Sequence, residues 1–298
     1  MRRSPDPIDQ LLALDPGSRG IAAFFCPGGA RMAARSLSRG TRVSLVTGFV
    51  VRPGMAETDG PPGTALLGRA LRRLGKSVSY VADRVTLPLL EAALKTLGEP
   101  AGLIVFPDRE PAPLAAQRLL VSLAPTHLVA VETPGRGKDG DYRSARGQSI
   151  ASWNTPLDEL FIRRPSRVVS VGIGDGGNEI GMGNVRPRLL RLGPRARKIA
   201  SVVTVDHLVV AGTANWGAYG VVAHLSILSG QNLLHTGEEE RRLIAACVEA
   251  GGVDGLTRRP EPTVDGLPAE MHAAIVELLR SLVEGARSSD SSTGGQQS

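Results

Sequence analysis

Apolar and polar positions along the chain fall into short blocks that indicate strands and helices in alternation. Runs rich in β-branched residues have the length of buried strands at residues 42–50, 77–82, 102–106, 127–132, 168–171 and 201–210. Segments of helical composition occupy residues 30–38, 61–74, 87–97, 111–123, 157–162, 218–229, 238–249 and 269–284. Such alternation is typical of a parallel sheet with helices on both faces. The pattern predicts an α/β fold, a three-layer αβα sandwich with a mostly parallel, Rossmann-like sheet.

The two ends of the chain differ from the segment between them. Residues 1–19 are polar and contain prolines, with one short helical stretch at 7–14. Residues 285–298 are rich in serine, glycine and glutamine and bury too little apolar surface to fold. We therefore predict an N-terminal extension over residues 1–19, a single α/β domain over 20–284 and a disordered tail over 285–298.

One stretch, residues 168–184 (VVSVGIGDGGNEIGMGN), joins an apolar strand to a turn crowded with glycine. Three glycines match the G-x-G-x-x-G spacing of a dinucleotide-binding turn, namely Gly172, Gly174 and Gly177. Asp175 argues against that interpretation, because its carboxylate would meet the phosphates, and like charges ~4 Å apart repel by roughly 1 to 4 kcal/mol. A site for a cation or an ammonium group fits the turn better. The plain alternative is a capped helix start with solvated acids.

Polar side chains within this turn are candidates for such a site. If the turn opens a helix, Asp175 and Glu179 share one face, with Asn178 beside them. Two glycines, Gly174 and Gly176, allow the backbone to approach a ligand closely. We therefore predict that the turn contributes both side chains and backbone to ligand binding.

Four segments rich in polar residues and glycine follow predicted strands, at residues 57–63, 132–147, 172–179 and 212–220. Ligands of open parallel sheets bind beyond the carboxyl ends of the strands, so these segments should meet at one rim. The side chains expected there are Glu57, Asp59, Glu132, Asp175, Asn178, Glu179 and Asn215, together with Arg136 and Arg143. Oxygen ligands suit Mg²⁺ or Mn²⁺, and the lack of a His/Cys cluster argues against zinc. The predicted metal ligands are Asp175, Asn178 and Glu179.

The chemistry available at this rim is acid–base chemistry. Clustered carboxylates raise each other's pKa, which allows one of them to carry a proton near neutral pH. An arginine fork suits a substrate carboxylate. Two aromatic side chains in the same segments, Tyr142 and Trp216, either wall the pocket or pack in the core. Ser170 and Ser201 stand outside any nucleophile elbow, so Ser/His/Asp hydrolase chemistry has no support.

Charge and composition exclude several classes of partner. The formal net charge is +6, and the densest basic run, residues 186–198, has no aromatic residues for base stacking. We interpret it as a solvated basic face and predict no nucleic-acid partner. No run reaches the ~20 apolar residues of a membrane span, and residues 1–10 lack the apolar core of a secretory signal. Since the chain also has only two cysteines, we expect a cytoplasmic protein without a membrane contact.

Taken together, four segments resemble the C-terminal domain of the D-glutamate cyclase family. They are ETDGPPG (57–63), ETPGRGKDGDYRSARG (132–147), GIGDGGNEIGMGNV (172–185) and NWGAYG (215–220). The resemblance spans roughly residues 20–285, and four motifs in the right order are more specific than any one. The family's mitochondrial enzyme carries a further N-terminal domain, so the resemblance covers one part of that enzyme. It implies a carbon–oxygen hydro-lyase that converts D-glutamate to 5-oxo-D-proline and water.

This resemblance suggests roles for the rim residues. Arg136 or Arg143 would hold the α-carboxylate, and Asp175 and Glu179 would bind the ammonium group or a divalent cation. The predicted catalytic residues are Glu57, Asp59, Asp175 and Glu179, of which the first two would carry protons. The predicted substrate-binding residues are Arg136, Tyr142, Arg143, Gly174, Gly176, Asn178, Asn215 and Trp216. The alternative is a non-catalytic module that binds an amino acid or a nucleotide at the same rim, and a homo-oligomer is left open.

Overall fold

The structure is a computed structural model that describes residues 6–100 and 102–293. Its helices are α1 (Pro7–Leu12), α2 (Gly29–Arg39), α3 (Pro61–Arg73), α4 (Leu87–Thr96), α5 (Ala112–Leu123), α6 (Glu159–Ile162), α7 (Arg186–Leu189), α8 (Pro194–Ile199), α9 (Ala214–Ser229), α10 (Gly237–Glu249) and α11 (Ala269–Thr293). Its strands are β1 (Arg42–Thr47), β2 (Val50–Arg52), β3 (Met55–Ala56), β4 (Ser77–Ala82), β5 (Leu103–Val105), β6 (His127–Val131), β7 (Val169–Gly174), β8 (His207–Val210), β9 (Thr263–Val264) and β10 (Leu267–Pro268). The outermost parts of the predicted extension and tail, residues 1–5 and 294–298, lie outside the described residues.

Six of the described strands form one parallel sheet in the order β5-β4-β1-β6-β7-β8. Leu45 of β1 lies beside Tyr80 of β4 on one side and beside Val129 of β6 on the other. The chain first builds outward from β1 to β5 and then returns to add β6, β7 and β8 on the opposite side. The direction of growth therefore reverses between β1 and β6, where open sheets of this kind bind ligands.

Helices cover both faces of this sheet and divide the core into two parts. Val129 and Val131 of β6 face a core built with α3, α9 and the other helices of that layer. Their neighbours Leu128 and Ala130 face a second core, which Phe161 of α6 joins. The strands are apolar on both faces because neither face meets water. The predicted three-layer α/β fold is confirmed. No helix within the described residues combines the length and the apolar character needed to cross a membrane.

Two apolar runs that the sequence pattern presents as strands are regular over only part of their length. The run at 42–50 leaves the sheet after Thr47, because Gly48 turns the chain with a φ of +146°. The run at 201–210 is a strand only from His207, and before it the carbonyl of Val203 accepts bonds from Gly181 and Gly183. Both runs are largely buried, and burial outside a ladder leaves the same apolar pattern as a strand.

The helical body extends past the predicted domain limits at both ends. Helix α1 lies within residues 1–19, and its Ile8 and Leu12 are buried in the same core as α9. Helix α11 continues past residue 284 to Thr293. Helix α9 also begins earlier than predicted, because the Thr213 side chain caps it by accepting a bond from the N–H of Trp216.

Candidate functional site

A cavity of about 410 Å³ lies at the carboxyl ends of the central strands, next to the point where the sheet reverses its growth. Its wall includes Glu57 after β3, Glu132 after β6, and Asp175 and Glu179 after β7. Segments distant in sequence, at residues 17–19 and 255–265, contribute further wall residues. A cavity of this size suits a small molecule.

Six carboxylates lie in or beside this cavity, and none of them is more than 7% exposed. This acidic cluster comprises Glu57, Asp59, Glu132, Asp175, Glu179 and Asp265. Sequence reasoning expected five of these at the rim and missed Asp265, which lies in the turn between β9 and β10. Burying a charge is costly unless it is compensated. The cluster must therefore take up protons, cations or both.

Among the described residues, Arg19 is the cation that forms ion pairs with this cluster. Its guanidinium bridges Asp175 and Asp265, forming an ion pair with each. The loop before it is fixed by Asp15, whose carboxylate accepts bonds from the N–H groups of Arg19 and Gly20 at 2.8 and 2.7 Å. The sequence analysis placed Arg19 in the N-terminal extension. A single arginine in a polar segment does not indicate a ligand-binding site. Only the folded chain shows that it reaches the carboxylates.

Several oxygens of the acidic cluster are buried and have no hydrogen-bond partner among the described residues. They are Glu57 Oε1, Glu132 Oε2, Asp175 Oδ2 and Asp265 Oδ2. Leaving a buried polar atom unsatisfied typically costs about 1–3 kcal/mol. Four such atoms around one cavity indicate that a ligand completes their interactions.

The backbone is also strained around this cavity. Five non-glycine residues in the described chain have a positive φ, and four of them line the cavity: Ser18, Glu132, Arg258 and Asp265. A non-glycine residue in this conformation costs of order 1–3 kcal/mol and persists only where its surroundings impose it. Such strain tends to gather at binding and catalytic sites, in agreement with the unpartnered oxygens.

Burial raises the pKa of the carboxyls in the cluster. Desolvation, and then repulsion from Asp265, raises the pKa of Asp59 to about 7 and that of Glu57 well above its usual range. Desolvation also raises the pKa of Glu132 strongly, with Asp175 and Glu179 as the next causes. Protonated carboxyls are therefore expected in this cavity near neutral pH.

We expect Asp59 to make the protein less stable as the pH rises. A carboxyl whose pKa is higher in the folded state holds its proton there, so its contribution is present at low pH and is lost as the pH rises to about 7. Denaturant unfolding between pH 5 and 8 measures how the free energy of unfolding falls as the pH rises. This fall should be shallower for Asp59→Asn than for wild type, by up to about 1.4 kcal/mol per pH unit. The exposed Glu91→Gln serves as control and should keep the wild-type slope. Identical slopes for Asp59→Asn and wild type would contradict the raised pKa.

The glycine turn after β7 does not open an α-helix. The Glu179 carboxylate folds back and accepts the N–H groups of Gly176 and Gly177, each at 2.8 Å. Asp175 and Glu179 therefore reach the cavity through a closed turn, and the shared helix face that the sequence suggested is absent. A Cβ at position 176 would lie 2.8 Å from Glu179 Oε1 and 2.9 Å from Asn178 Oδ1, so a larger residue here would displace these two side chains. Gly176 and Asn178 line the cavity.

The two arginines predicted to bind substrate lie outside the cavity wall. Arg136 donates to Asp158 at 2.7 and 2.9 Å and to Glu159 at 2.6 Å. The Tyr142 hydroxyl donates to the same Asp158 carboxylate, so this aromatic residue belongs to a buried polar network. Arg143 pairs with Asp139 and Asp141 of its own loop. Both of these arginines are therefore engaged in ion pairs that stabilise the conformation of the loop and its contact with α6.

Asn215 and Trp216 also serve packing. Asn215 Oδ1 accepts from the N–H groups of Gly60 and Gly63 at 3.0 and 2.8 Å, and the Trp216 indole donates to His272. The Asp59 carboxylate accepts from the N–H groups at the start of α9, at 2.8 Å each. Gly60 holds the N-cap position of α3, and the neighbouring Asp59 binds the first turn of α9 instead. These bonds lock the starts of α3 and α9 together beneath the site.

Three further arginines, none of them predicted to bind substrate, line the cavity. They are Arg146, Arg195 and Arg258. Burial, and then repulsion from Arg146 and Arg52, lowers the pKa of Arg258. Arg195 belongs to the run that the sequence analysis interpreted as a solvated basic face. The structure shows that this residue borders the cavity. This arginine rim, as we name the three lining residues, is suited to an anionic group.

Two trios within the acidic cluster have spacing compatible with a metal ion. Ligand oxygens of Asp59, Asp175 and Asp265 lie within 4.8 Å of one another, and so do those of Glu132, Asp175 and Glu179. Asn178, the third metal ligand predicted from sequence, donates through Nδ2 to the carbonyl of Arg143 at 2.8 Å.

Comparison with known proteins gives the family. Residues 8–280 match a family described as D-glutamate cyclase-like, C-terminal. The chain belongs to this family. The resemblance carried by the four sequence segments is thereby confirmed.

One curated relative is the human protein named D-glutamate cyclase, mitochondrial. It is 34% identical over 236 residues, which cover 74% of this chain and 38% of the relative. Because the chain spans well under half of that protein, the relative's activity is not carried over by similarity alone. The relative's name places it in mitochondria, and the cytoplasmic location of this chain stays a prediction.

Solved structures show only distant similarity. An exopolyphosphatase-related protein from Bacteroides fragilis has a TM-score of 0.43 at 9% identity, covering 86% of this chain and 56% of that one. RecJ from Thermus thermophilus, in complex with Mn²⁺, has a TM-score of 0.39 at 14% identity, covering 96% and 40% of the two chains. Similarity at this level says nothing about the chemistry of the cavity.

Proposed function

We propose that this chain is a D-glutamate cyclase-like lyase that converts D-glutamate to 5-oxo-D-proline and water. The observation that supports this best is that one cavity is lined both by carboxylates of the acidic cluster and by the arginine rim. Glutamate carries one ammonium group and two carboxylates. The cluster suits the ammonium group, and the rim suits a carboxylate. Family membership favours the same substrate class.

The raised pKa of the carboxyls fits the proton transfers that this reaction needs. The amine attacks the γ-carboxyl carbon, and one oxygen of that carboxyl leaves as water. The amine must lose protons, and the departing oxygen must gain them. Asp59, with a pKa of about 7, and Glu57 can hold protons at neutral pH and can exchange them with a bound substrate. Arg19 or the arginine rim would stabilise the developing oxyanion.

The second candidate is a module that binds an acidic amino acid without turning it over. The observation that favours it is the 38% coverage of the human relative, since the remaining part of that protein could hold the activity. Such a module would keep the same cavity and the same ligand class.

Turnover by the purified chain distinguishes the two candidates. D- and L-glutamate are supplied separately, with added Mg²⁺, Mn²⁺ or a chelator, and 5-oxoproline is measured by NMR. Product from the D-isomer supports the lyase. Absence of product from folded protein, together with saturable D-glutamate binding in calorimetry, contradicts the lyase and supports the module.

We expect the arginine rim to act mainly in substrate binding. Arg258→Ala should raise KM for D-glutamate about tenfold while kcat changes little, because the lost contact holds a carboxylate equally in the ground state and the transition state. Steady-state kinetics measures both values. Arg39→Ala, exposed on α2 and away from the cavity wall, is the control. A fall in kcat with unchanged KM would contradict this role.

A further inference from the structure

We propose that Glu132, Asp175 and Glu179 form a binding site for one hard divalent cation, Mg²⁺ or Mn²⁺, in the wall of the cavity. This inference is independent of the proposed reaction, because a ligand-binding module could hold the same ion. It also replaces one of the ligands predicted from sequence, since Glu132 takes the place of Asn178.

The geometry of the three carboxylates is close to that of a coordination shell. One oxygen from each lies within 4.8 Å of the others. Oxygens on opposite sides of one Mg²⁺ are about 4.2 Å apart, because each metal–oxygen distance is about 2.1 Å. Since adjacent ligands of an octahedral ion lie closer still, at about 3 Å, the three side chains must draw together to hold the ion. Carboxylate oxygens are the ligands that Mg²⁺ and Mn²⁺ prefer.

Unpartnered atoms point to the same ligand. Glu132 is 5% exposed and Asp175 is 1% exposed, yet Glu132 Oε2 and Asp175 Oδ2 have no hydrogen-bond partner among the described residues. Glu179 is held in place by the two N–H groups of its own turn, and each of its oxygens keeps a free lone pair. The trio thus combines two buried, unpartnered oxygens with one carboxylate fixed by its own turn.

The second trio has more compensation than the first, although Asp175 belongs to both and Asp265 Oδ2 is unpartnered, and this difference decides between the two. Arg19 bridges Asp175 and Asp265, and both oxygens of Asp59 accept backbone N–H groups at the start of α9. By contrast, neither Glu132 nor Glu179 forms an ion pair with any described residue. A cation beside Glu132 and Glu179 is therefore stabilised more by electrostatic attraction than a cation in the second trio.

Asn178 is the less suitable third ligand. Its Nδ2 donates to the carbonyl of Arg143, so only the neutral Oδ1 is left as a ligand atom. Glu132 instead follows β6 directly and has a left-handed backbone, with a φ of +43°. It lines the cavity at the end of this strand. A carboxylate also brings the negative charge that a divalent ion requires.

The test is Mn²⁺ binding to the full purified chain without substrate, followed by electron paramagnetic resonance of the free ion. The wild type should bind one Mn²⁺ per chain, and Mg²⁺ should displace it. Glu132→Gln should weaken binding at least about tenfold. Glu132→Asp keeps the charge but withdraws the oxygen by one methylene, so it should weaken binding similarly if coordination matters.

Glu57→Gln is the matched control, because it makes the same substitution at a buried, unpartnered carboxyl of the same cavity outside the trio. It should change the affinity less than about threefold. Absence of saturable binding up to about 1 mM Mn²⁺, an affinity of roughly −4 kcal/mol, overturns the proposal. Equal losses for Glu57→Gln and Glu132→Gln also overturn it, since they would indicate diffuse attraction by the cluster. Circular dichroism checks that each variant is folded. If a variant is not folded, the wild-type measurement still decides whether the chain binds Mn²⁺ saturably.

Discussion

Asp175→Asn should lower kcat/KM for D-glutamate by about a thousandfold or more. Loss of a positioned acid–base group typically costs roughly 10² to 10⁴ in rate, and Asp175 also has a place in both carboxylate trios. Its carboxylate pairs with Arg19 while its second oxygen faces no described partner. An asparagine of the same size keeps the shape of the site but neither exchanges a proton nor carries the charge that attracts an ammonium group.

Two comparisons separate this effect from a general loss of structure. Arg19 keeps its pair with Asp265 in the variant, so the variant should stay folded with a wild-type circular dichroism spectrum. Asp139→Asn removes the same charge from an exposed position of the loop at 133–147 and should keep wild-type activity. Steady-state kinetics at saturating and limiting D-glutamate gives both parameters. Turnover by Asp175→Asn at the wild-type rate would remove this residue from the mechanism.

Much of the fold is readable from local sequence, because the elements have local causes. The strand at residues 77–82 has the predicted bounds, since its apolar run is closed by turn residues at both ends. Pro61 and Pro62 mark the start of α3, where the missing N–H groups need no partner. The run at 201–210 misled the prediction because burial, and not strand pairing, determines its apolar composition.

The acidic cluster was partly predictable for a topological reason. Residues after parallel strands meet at one edge, so Glu57, Glu132 and Asp175 were expected together, and all three line one cavity. Arg19 and Asp265 lie in segments without periodicity or motif, and their position depends on how both ends of the chain fold back. At Arg136 a charged loop suggested a substrate-binding role, and the structure shows its guanidinium paired with buried Asp158, a partner that the sequence does not reveal.

Arg19→Met should lower the free energy of unfolding at pH 7 by about 3–5 kcal/mol, the usual cost of removing one partner from a buried ion pair. The substitution preserves most of the apolar stem and removes the charge that compensates Asp175 and Asp265, both at least nine-tenths buried. Denaturant unfolding measures the difference. Arg118→Met is the control, because Arg118 is 77% exposed and pairs with Glu110 at the surface, where such pairs contribute about 1 kcal/mol or less.

The pH dependence of this loss identifies its cause. Without Arg19 the folded-state pKa of Asp175 rises further, because desolvation already raises it and Arg19 is the main opposing influence. A raised folded-state pKa leaves stability intact at low pH and removes it as the pH rises, so the deficit of Arg19→Met should shrink from pH 8 to pH 5. Adding Asp265→Asn to Arg19→Met should recover part of the loss, since one uncompensated carboxylate disappears. A deficit that is constant with pH and unaffected by Asp265→Asn would mean that Arg19 stabilises the fold through packing, and that the carboxylates find their compensation elsewhere.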